Sequence, residues 1–163
     1  HRARLLRQAL RGDGGLAEGV RGVVCADGTR PAWSAGAFDR VIADVPCTGM
    51  GALRRRPEAR WRRSPGDVDT LVLLQRALLH AALDACRPGG VVGYVTCSPH
   101  PAETTGVVEA VLGERGDVAA EDARALLPDV ADLGGGPSVQ LWPHRHGTDA
   151  MFLALLRRRP GTG

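Results

Sequence analysis

Two cysteines and a carboxylate carry the chemistry that this sequence offers. Cys47 lies in Asp44-Val45-Pro46-Cys47-Thr48-Gly49, and Cys97 lies in Thr96-Cys97-Ser98-Pro99. Each follows a short apolar run that reads as a buried strand. In α/β sheets, ligands and chemistry gather at the carboxyl ends of strands, so both thiols are expected on one rim. Two thiols and Asp44 on a shared rim suit covalent attack on an electron-poor ring such as a pyrimidine. A cysteine after an apolar strand also serves as plain core packing, and that is the simpler reading for Cys25 and Cys86.

The elements that must position these groups follow from periodicity and breakers. Arg2–Arg11 reads as a helix, with Leu5, Leu6, Ala9 and Leu10 at helical spacing, ended by Gly12-Asp13-Gly14-Gly15. Val20–Ala26 and Phe38–Val45 read as strands, and near-continuous apolar strands suit a parallel sheet covered on both faces. Ser64-Pro65-Gly66-Asp67 has the signs of a helix start: an N-cap serine, a first-turn proline and an acid near the dipole's positive end. Leu71, Leu74, Leu78, Ala82 and Ala85 then mark its buried face. Arg87-Pro88-Gly89-Gly90 stops that helix, and Val91–Thr96 is the next strand.

Pro101–Arg115 reads as a helix weakened by Gly106. Asp117–Leu133 shows no clear pattern beyond a short helix near Glu121–Leu127. Gly134-Gly135-Gly136-Pro137 is a turn. Val139–Trp142 and Met151–Leu156 read as a closing antiparallel pair, with a polar, frayed tail from Arg157. The order predicts an α/β fold with crossover helices and a late antiparallel hairpin. No Gly-x-Gly-x-x-Gly follows a strand.

The bulk numbers are those of one ordinary globular domain: 163 residues, 44% hydrophobic, 24% charged, net charge +3. No apolar run approaches membrane-span length, so no membrane partner is expected. All 21 basic residues are arginine, which reads chiefly as codon bias. The mild basicity permits a nucleic-acid partner without requiring one. The four cysteines form no Cys-x-x-Cys pair, and His144 and His146 have no ligand set beside them, so no metal is expected. Free thiols without secretion signs favour a cytoplasmic chain. Arg54 to Arg63 holds six arginines and Trp61. It is either a solvated basic loop or a phosphate-binding one in which Trp61 stacks a base.

Asp44-Val45-Pro46-Cys47-Thr48-Gly49 resembles the Asp-x-Pro-Cys-Ser/Thr-Gly motif of the RNA 5-methylcytosine methyltransferases. Tyr94-Val95-Thr96-Cys97-Ser98 resembles their Thr-Cys-Ser motif. The Arg87-Pro88-Gly89-Gly90 junction between them, Arg54 to Trp61, and Leu141-Trp142-Pro143 to Asp149-Ala150-Met151-Phe152 fit the same family. The likeness covers nearly the whole chain and is greatest to the bacterial Sun branch of the NOP2/Sun family, which acts on small-subunit ribosomal RNA.

The resemblance implies a Rossmann-like class I methyltransferase sheet and S-adenosyl-L-methionine as methyl donor. The implied substrate is a cytidine in RNA, either 16S rRNA or a small-subunit precursor. It implies that Cys97 is the nucleophile adding to C6. Cys47 would help remove the C5 proton and release the enzyme. Asp44 would lie near both donor and base, and Pro46 would shape the base-holding loop. It places a donor contact at Asp27, which by itself also reads as a turn residue, as Asp44 could be a mere cap. Arg54, Arg55, Arg56, Arg60, Trp61 and Arg62 are the RNA-binding candidates. The target must be unstacked to be reached.

The family's Gly-Gly-Lys donor loop, its ribose-binding acid and its N-terminal RNA-binding domain have no counterpart here. Its Glu-Asn after the nucleophile motif is Glu103-Thr104. Residues 1–157 are therefore expected to be the C-terminal part of a catalytic domain whose sheet lacks its first strands, with 158–163 a flexible tail and the chain a monomer. His100 either tunes Cys97 or enters the next helix. Three other readings compete. An amino-group methyltransferase shares Asp-x-Pro but expects an aromatic at position 47. An inactive RNA-binding fragment would use only the arginine loop. A cysteine hydrolase would pair Cys97 with His100 or His144 but lacks a nucleophile elbow.

Overall fold

The computed structural model describes residues 2–12, 15–16, 19–62 and 64–161. Asp13 and Gly14 of the expected helix stop, Arg63 of the basic loop, and the last two residues of the tail lie outside the described residues. Helix α1 spans Arg2–Ala9, shorter than the pattern suggested. Strands β1 (Arg11–Gly12) and β2 (Gly15–Leu16) pair antiparallel.

The main sheet is mixed and has five strands. Strand β3 (Phe38–Asp44) runs parallel to β4 (Cys86–Thr96), with Asp44 opposite Val95. Strand β7 (Phe152–Arg158) lies antiparallel between β4 and β5 (Val118–Glu121), and β6 (Val139–Gln140) adds a two-residue pairing to β7. The expected closing pair therefore exists, but β7 spends most of its hydrogen bonds on β4 and β5.

Helix α2 (Pro65–Ala85) crosses from β3 to β4 as the parallel pairing requires. Its start is the expected one: Ser64 N donates to Asp67 Oδ2 at 3.0 Å while the Ser64 side chain accepts from the Asp67 amide, a reciprocal cap. Its end is held by Arg158, whose guanidinium donates to the Cys86 carbonyl at 2.8 Å. Helix α3 (Thr105–Glu114) returns toward β5, and α4 (Pro143–His146) precedes β7. The core between helices and sheet centres on Tyr94, Phe152, Leu79, Leu83, Val107 and Val111. Tyr94 and Phe152 meet edge to face at 6.2 Å. Leu153 and Leu155, on the other face of β7, pack on Ala123, Leu133 and Val139.

Four expectations are corrected. Val20–Ala26 is not a strand. A strand needs a neighbour for its amides and carbonyls, and none stands beside it among the described residues. Cys25 in that segment is exposed, so it is not core packing. Of the expected buried face of α2, Ala82 and Ala85 are buried and Leu71 and Leu78 partly so, but Leu74 is exposed, and the stripe is completed by Gln75, Leu79 and Leu83. Leu78 packs against the core and also lines a groove beside β3 with Trp33, Ile42 and Asp44. The tail does not fray at Arg157. Arg157 binds Glu121 and the Gly89 carbonyl, and Arg158 binds Asp117, which keeps β7 paired through Arg158. The Asp117–Leu133 stretch, left open by the sequence, holds β5 and a short 3-10 turn, Ala123–Leu126.

Candidate active site

Parallel pairing brings the two cysteines together. β3 and β4 end side by side, and Val45 N donates to Val95 O at 3.1 Å, carrying the register one residue past Asp44. The chain then turns outward at both ends. The Sγ atoms of Cys47 and Cys97 stand 3.4 Å apart, within hydrogen-bonding reach for thiols. Cys47 is buried and Cys97 half-buried.

Their surroundings separate their acidities. The Cys97 thiol is lowered to about 7, first by the hydrogen bond from Cys47, against burial and the charges of Asp44 and Asp149. The Cys47 thiol is pushed up, first by that same bond and then by burial and the Cys97 charge. The directions favour Cys97 as the thiol that ionises more readily and Cys47 as the one that holds its proton, a division of nucleophile and proton carrier. The arrangement suits addition of Cys97 to an electrophilic carbon presented at the rim.

The loops carrying these thiols are tied by buried polar contacts. Glu103, fully buried at the end of a 3-10 turn (Pro101–Glu103), accepts from Thr48 N at 2.8 Å, Thr48 Oγ1 at 2.5 Å, Ser98 Oγ at 2.6 Å and Gln75 Nε2 at 3.1 Å. Gln75 Nε2 also donates to the Pro46 carbonyl at 2.9 Å. Sequence reasoning assigned Glu103 and Gln75 no role; an acid just after the second motif and a lone amide on an apolar helix face were the available signals. His100 takes the helix-entry role: its Nδ1 accepts from Ala102 N at 3.2 Å.

Gly51 threads the first loop between the second loop and the segment before β7. Its amide donates to Cys97 O at 3.0 Å, and its carbonyl accepts from Ala150 N at 2.9 Å. Beside it, buried Asp149 accepts from Arg54 Nε and Arg55 Nε, each at 2.8 Å. The two guanidiniums hold the Asp149 carboxyl below its usual value. Arg54 and Arg55 are therefore anchored at the site's border. Arg56, Arg60 and Arg62 are exposed, and Trp61, on the 3-10 turn Pro57–Arg62, is 83% exposed.

Asp44 and Pro46 are exposed on the thiol rim. Asp27 lies apart from the thiols, in a turn where it accepts from Thr29 N at 2.9 Å and Thr29 Oγ1 at 2.8 Å. The next residue, Gly28, lines the groove beside β3 together with Asp44. His146 is committed to the backbone, accepting from Trp142 N at 2.9 Å on Nδ1 and lying 3.0 Å from Ala131 O through Nε2. Among the described residues, no three His, Cys, Asp or Glu side chains are grouped to hold a metal ion, and no helix is long and apolar enough to cross a membrane. A concavity of about 730 Å³ lies at the opposite end of β3 around Phe38, Asp39 and Arg87, away from the thiols.

A sequence profile of the family described as 16S rRNA methyltransferase RsmB/F matches residues 1–157. The Mycobacterium tuberculosis protein Rv1407, which carries a methyltransferase name without a stated substrate, is 66% identical over 122 residues, covering 74% of this chain and 26% of its own. Ribosomal RNA small subunit methyltransferase B of Pasteurella multocida is 36% identical over 143 residues, covering 83% of this chain and 31% of its own. The chain thus spans between a quarter and a third of these relatives' length. A crystal structure of NSun6 from Pyrococcus horikoshii with SFG matches at TM-score 0.69 and 25% identity, covering 86% of this chain and 35% of that one.

Proposed function

The chain belongs to the 16S rRNA methyltransferase RsmB/F family, and on that premise we propose that it carries the base chemistry of a cytosine-5 methyl transfer to small-subunit ribosomal RNA. Residues 1–157 form the thiol-bearing part of that catalytic domain. The observation that carries the reading is the Cys47–Cys97 contact at 3.4 Å between a buried thiol and a half-buried one at the ends of two paired strands. An amino-group methyltransferase has no use for such a pair.

The Cys97 thiolate adds to C6 of the ring. Its electron pair forms the S–C6 bond, and C5 becomes nucleophilic. S-adenosyl-L-methionine, when bound, supplies an electrophilic methyl group; the Pyrococcus relative with SFG, an analogue of that donor, supports this cofactor. Asp44 and Pro46 on the rim and Asp27 beside the β3 groove are the residues of this chain that would hold it. The groove fits part of such a ligand: it is about 180 Å³ and flanked by one carboxylate and apolar side chains.

Adduct formation also readies the second cysteine. Conversion of Cys97 to a thioether removes the S–H···S bond and the neighbouring charge, two of the three influences that keep Cys47 protonated. Cys47 then gives its proton to solvent and takes the proton from C5, while the S–C6 electrons return to Cys97 as it leaves. Asp44 assists by hydrogen bonding at N3 or N4 of the ring. The exposed arginines and Trp61 bind the RNA strand. The test is to supply the full-length protein with small-subunit RNA and labelled methyl donor, then digest the RNA to nucleosides. Label in 5-methylcytidine supports the reading; label in an N-methylated base overturns it.

A further inference from the structure

We propose that Glu103 is a positioning residue that sets the spacing of the Cys47 and Cys97 thiols by clamping both of their loops on one carboxylate. The proposal deepens the reading of these thiols as the reacting pair.

An ionised carboxylate offers about four acceptor sites. Those of Glu103 are filled: Oε1 by Thr48 N and Gln75 Nε2, Oε2 by Thr48 Oγ1 and Ser98 Oγ. Gln75 Nε2 reaches Pro46 O as well. Both neighbours of Cys47, Pro46 and Thr48, are therefore fixed, and so is Ser98, the residue after Cys97. The carboxylate's own backbone is held in turn: Tyr94 Oη donates to Glu103 O at 2.8 Å, and Glu103 N donates to His100 O at 2.9 Å.

The arrangement is costly for mere packing. Burying a carboxylate away from water is expensive, and apolar residues fill such a site at less cost. Gln75 also leaves its buried Oε1 without a partner among the described residues in order to aim Nε2 at Glu103 and Pro46. What the cluster secures is the register of two loops joined to different strands. A thiol pair at 3.4 Å loses its hydrogen bond on a small displacement, and the acidity of Cys97 depends first on that bond.

The test reads the thiols directly, without RNA or methyl donor. Cys97 alkylation by iodoacetamide is followed against pH, with peptide mass spectrometry to resolve the site, in the full-length protein carrying Cys25→Ser. Cys25 is exposed and outside the site. With Glu103 present, the half-maximal rate is expected near pH 7. Glu103→Ala is expected to move it up by about one unit, about fivefold slower alkylation at pH 7 and about tenfold slower well below it. The isosteric Glu103→Gln, which leaves no cavity, is expected to move it in the same direction by less, and it decides the matter alone if the alanine variant does not fold. A folded variant that unfolds at a lower temperature with an unmoved Cys97 profile would overturn the proposal, since a merely structural carboxylate would behave that way. Profiles that shift as expected in a protein that never forms an RNA adduct would uphold Glu103's role and overturn the cytosine reading alone.

Discussion

The amide of Gly51 donates to the carbonyl of Cys97 at 3.0 Å, and the Gly51 carbonyl in turn accepts from Ala150 N. The turn after the first cysteine is thus hydrogen-bonded to the second cysteine itself and to the chain entering β7. A Cβ at position 51 would come within 2.2 Å of Ala150 O and 2.8 Å of Cys97 O.

Gly51→Ala is therefore expected to lower stability by at least about 1–3 kcal/mol, because the clash is with backbone and no rotamer relieves it. Thermal unfolding checks this. Because Cys97 is one of the clashing residues, its alkylation should slow as well. An unchanged unfolding temperature would contradict the tight threading.

Cys97 alkylation should fall about tenfold for each pH unit below 7 and level off above it, since only the thiolate reacts. Cys47→Ala removes the hydrogen bond that chiefly lowers Cys97, so the midpoint should rise toward the ordinary thiol value. Coincident profiles for the two proteins would show that Cys47 is not the proton donor. With RNA present, Cys47→Ala should also accumulate the covalent adduct, because release loses its base.

The meeting of the two thiols was legible because sequence places them at strand ends. Cys47 and Cys97 each follow an apolar run, and parallel pairing of those runs needs only a crossover helix, whose start Ser64 and Asp67 announce. Glu103 was not legible in its role. Its partners Thr48 and Gln75 lie 55 and 28 residues away, and no local pattern reports a buried acceptor. Val20–Ala26 has strand-like residues, but pairing is a property of neighbours, which composition does not supply. Arg157 and Arg158 look like a solvated tail until Glu121 and Asp117 arrive beside them.

The exposed basic face should act on RNA as point charges. Arg56→Ala, Arg60→Ala and Arg62→Ala are each expected to reduce the slope of log affinity against log salt by about 0.7 for single-stranded RNA. Trp61→Ala should instead cost about 1–3 kcal/mol with the slope unchanged. Filter binding across a salt series separates the two behaviours. Unchanged slopes in all three arginine variants would place the strand elsewhere.

Asp149 gives a pH-dependent contribution whose sign is fixed. Its carboxyl is held low first by Arg55 and then by Arg54. A depressed folded-state value contributes stability that is full above the unfolded value and is lost as pH falls through the folded one. Asp149→Asn should therefore unfold at lower urea than the parent at neutral pH, and the gap should close in strong acid. A gap that does not depend on pH would mean that the ion pairs are not its source.

Covalent trapping tests the central claim most directly. The full-length protein is incubated with S-adenosyl-L-methionine and small-subunit RNA containing 5-fluorocytidine, whose C5 proton is replaced so that release stalls, and run on a denaturing gel. A shifted protein–RNA band that vanishes in Cys97→Ala is expected. An adduct that survives Cys97→Ala, or none when the RNA is bound, would contradict Cys97 as the thiol that adds to the base.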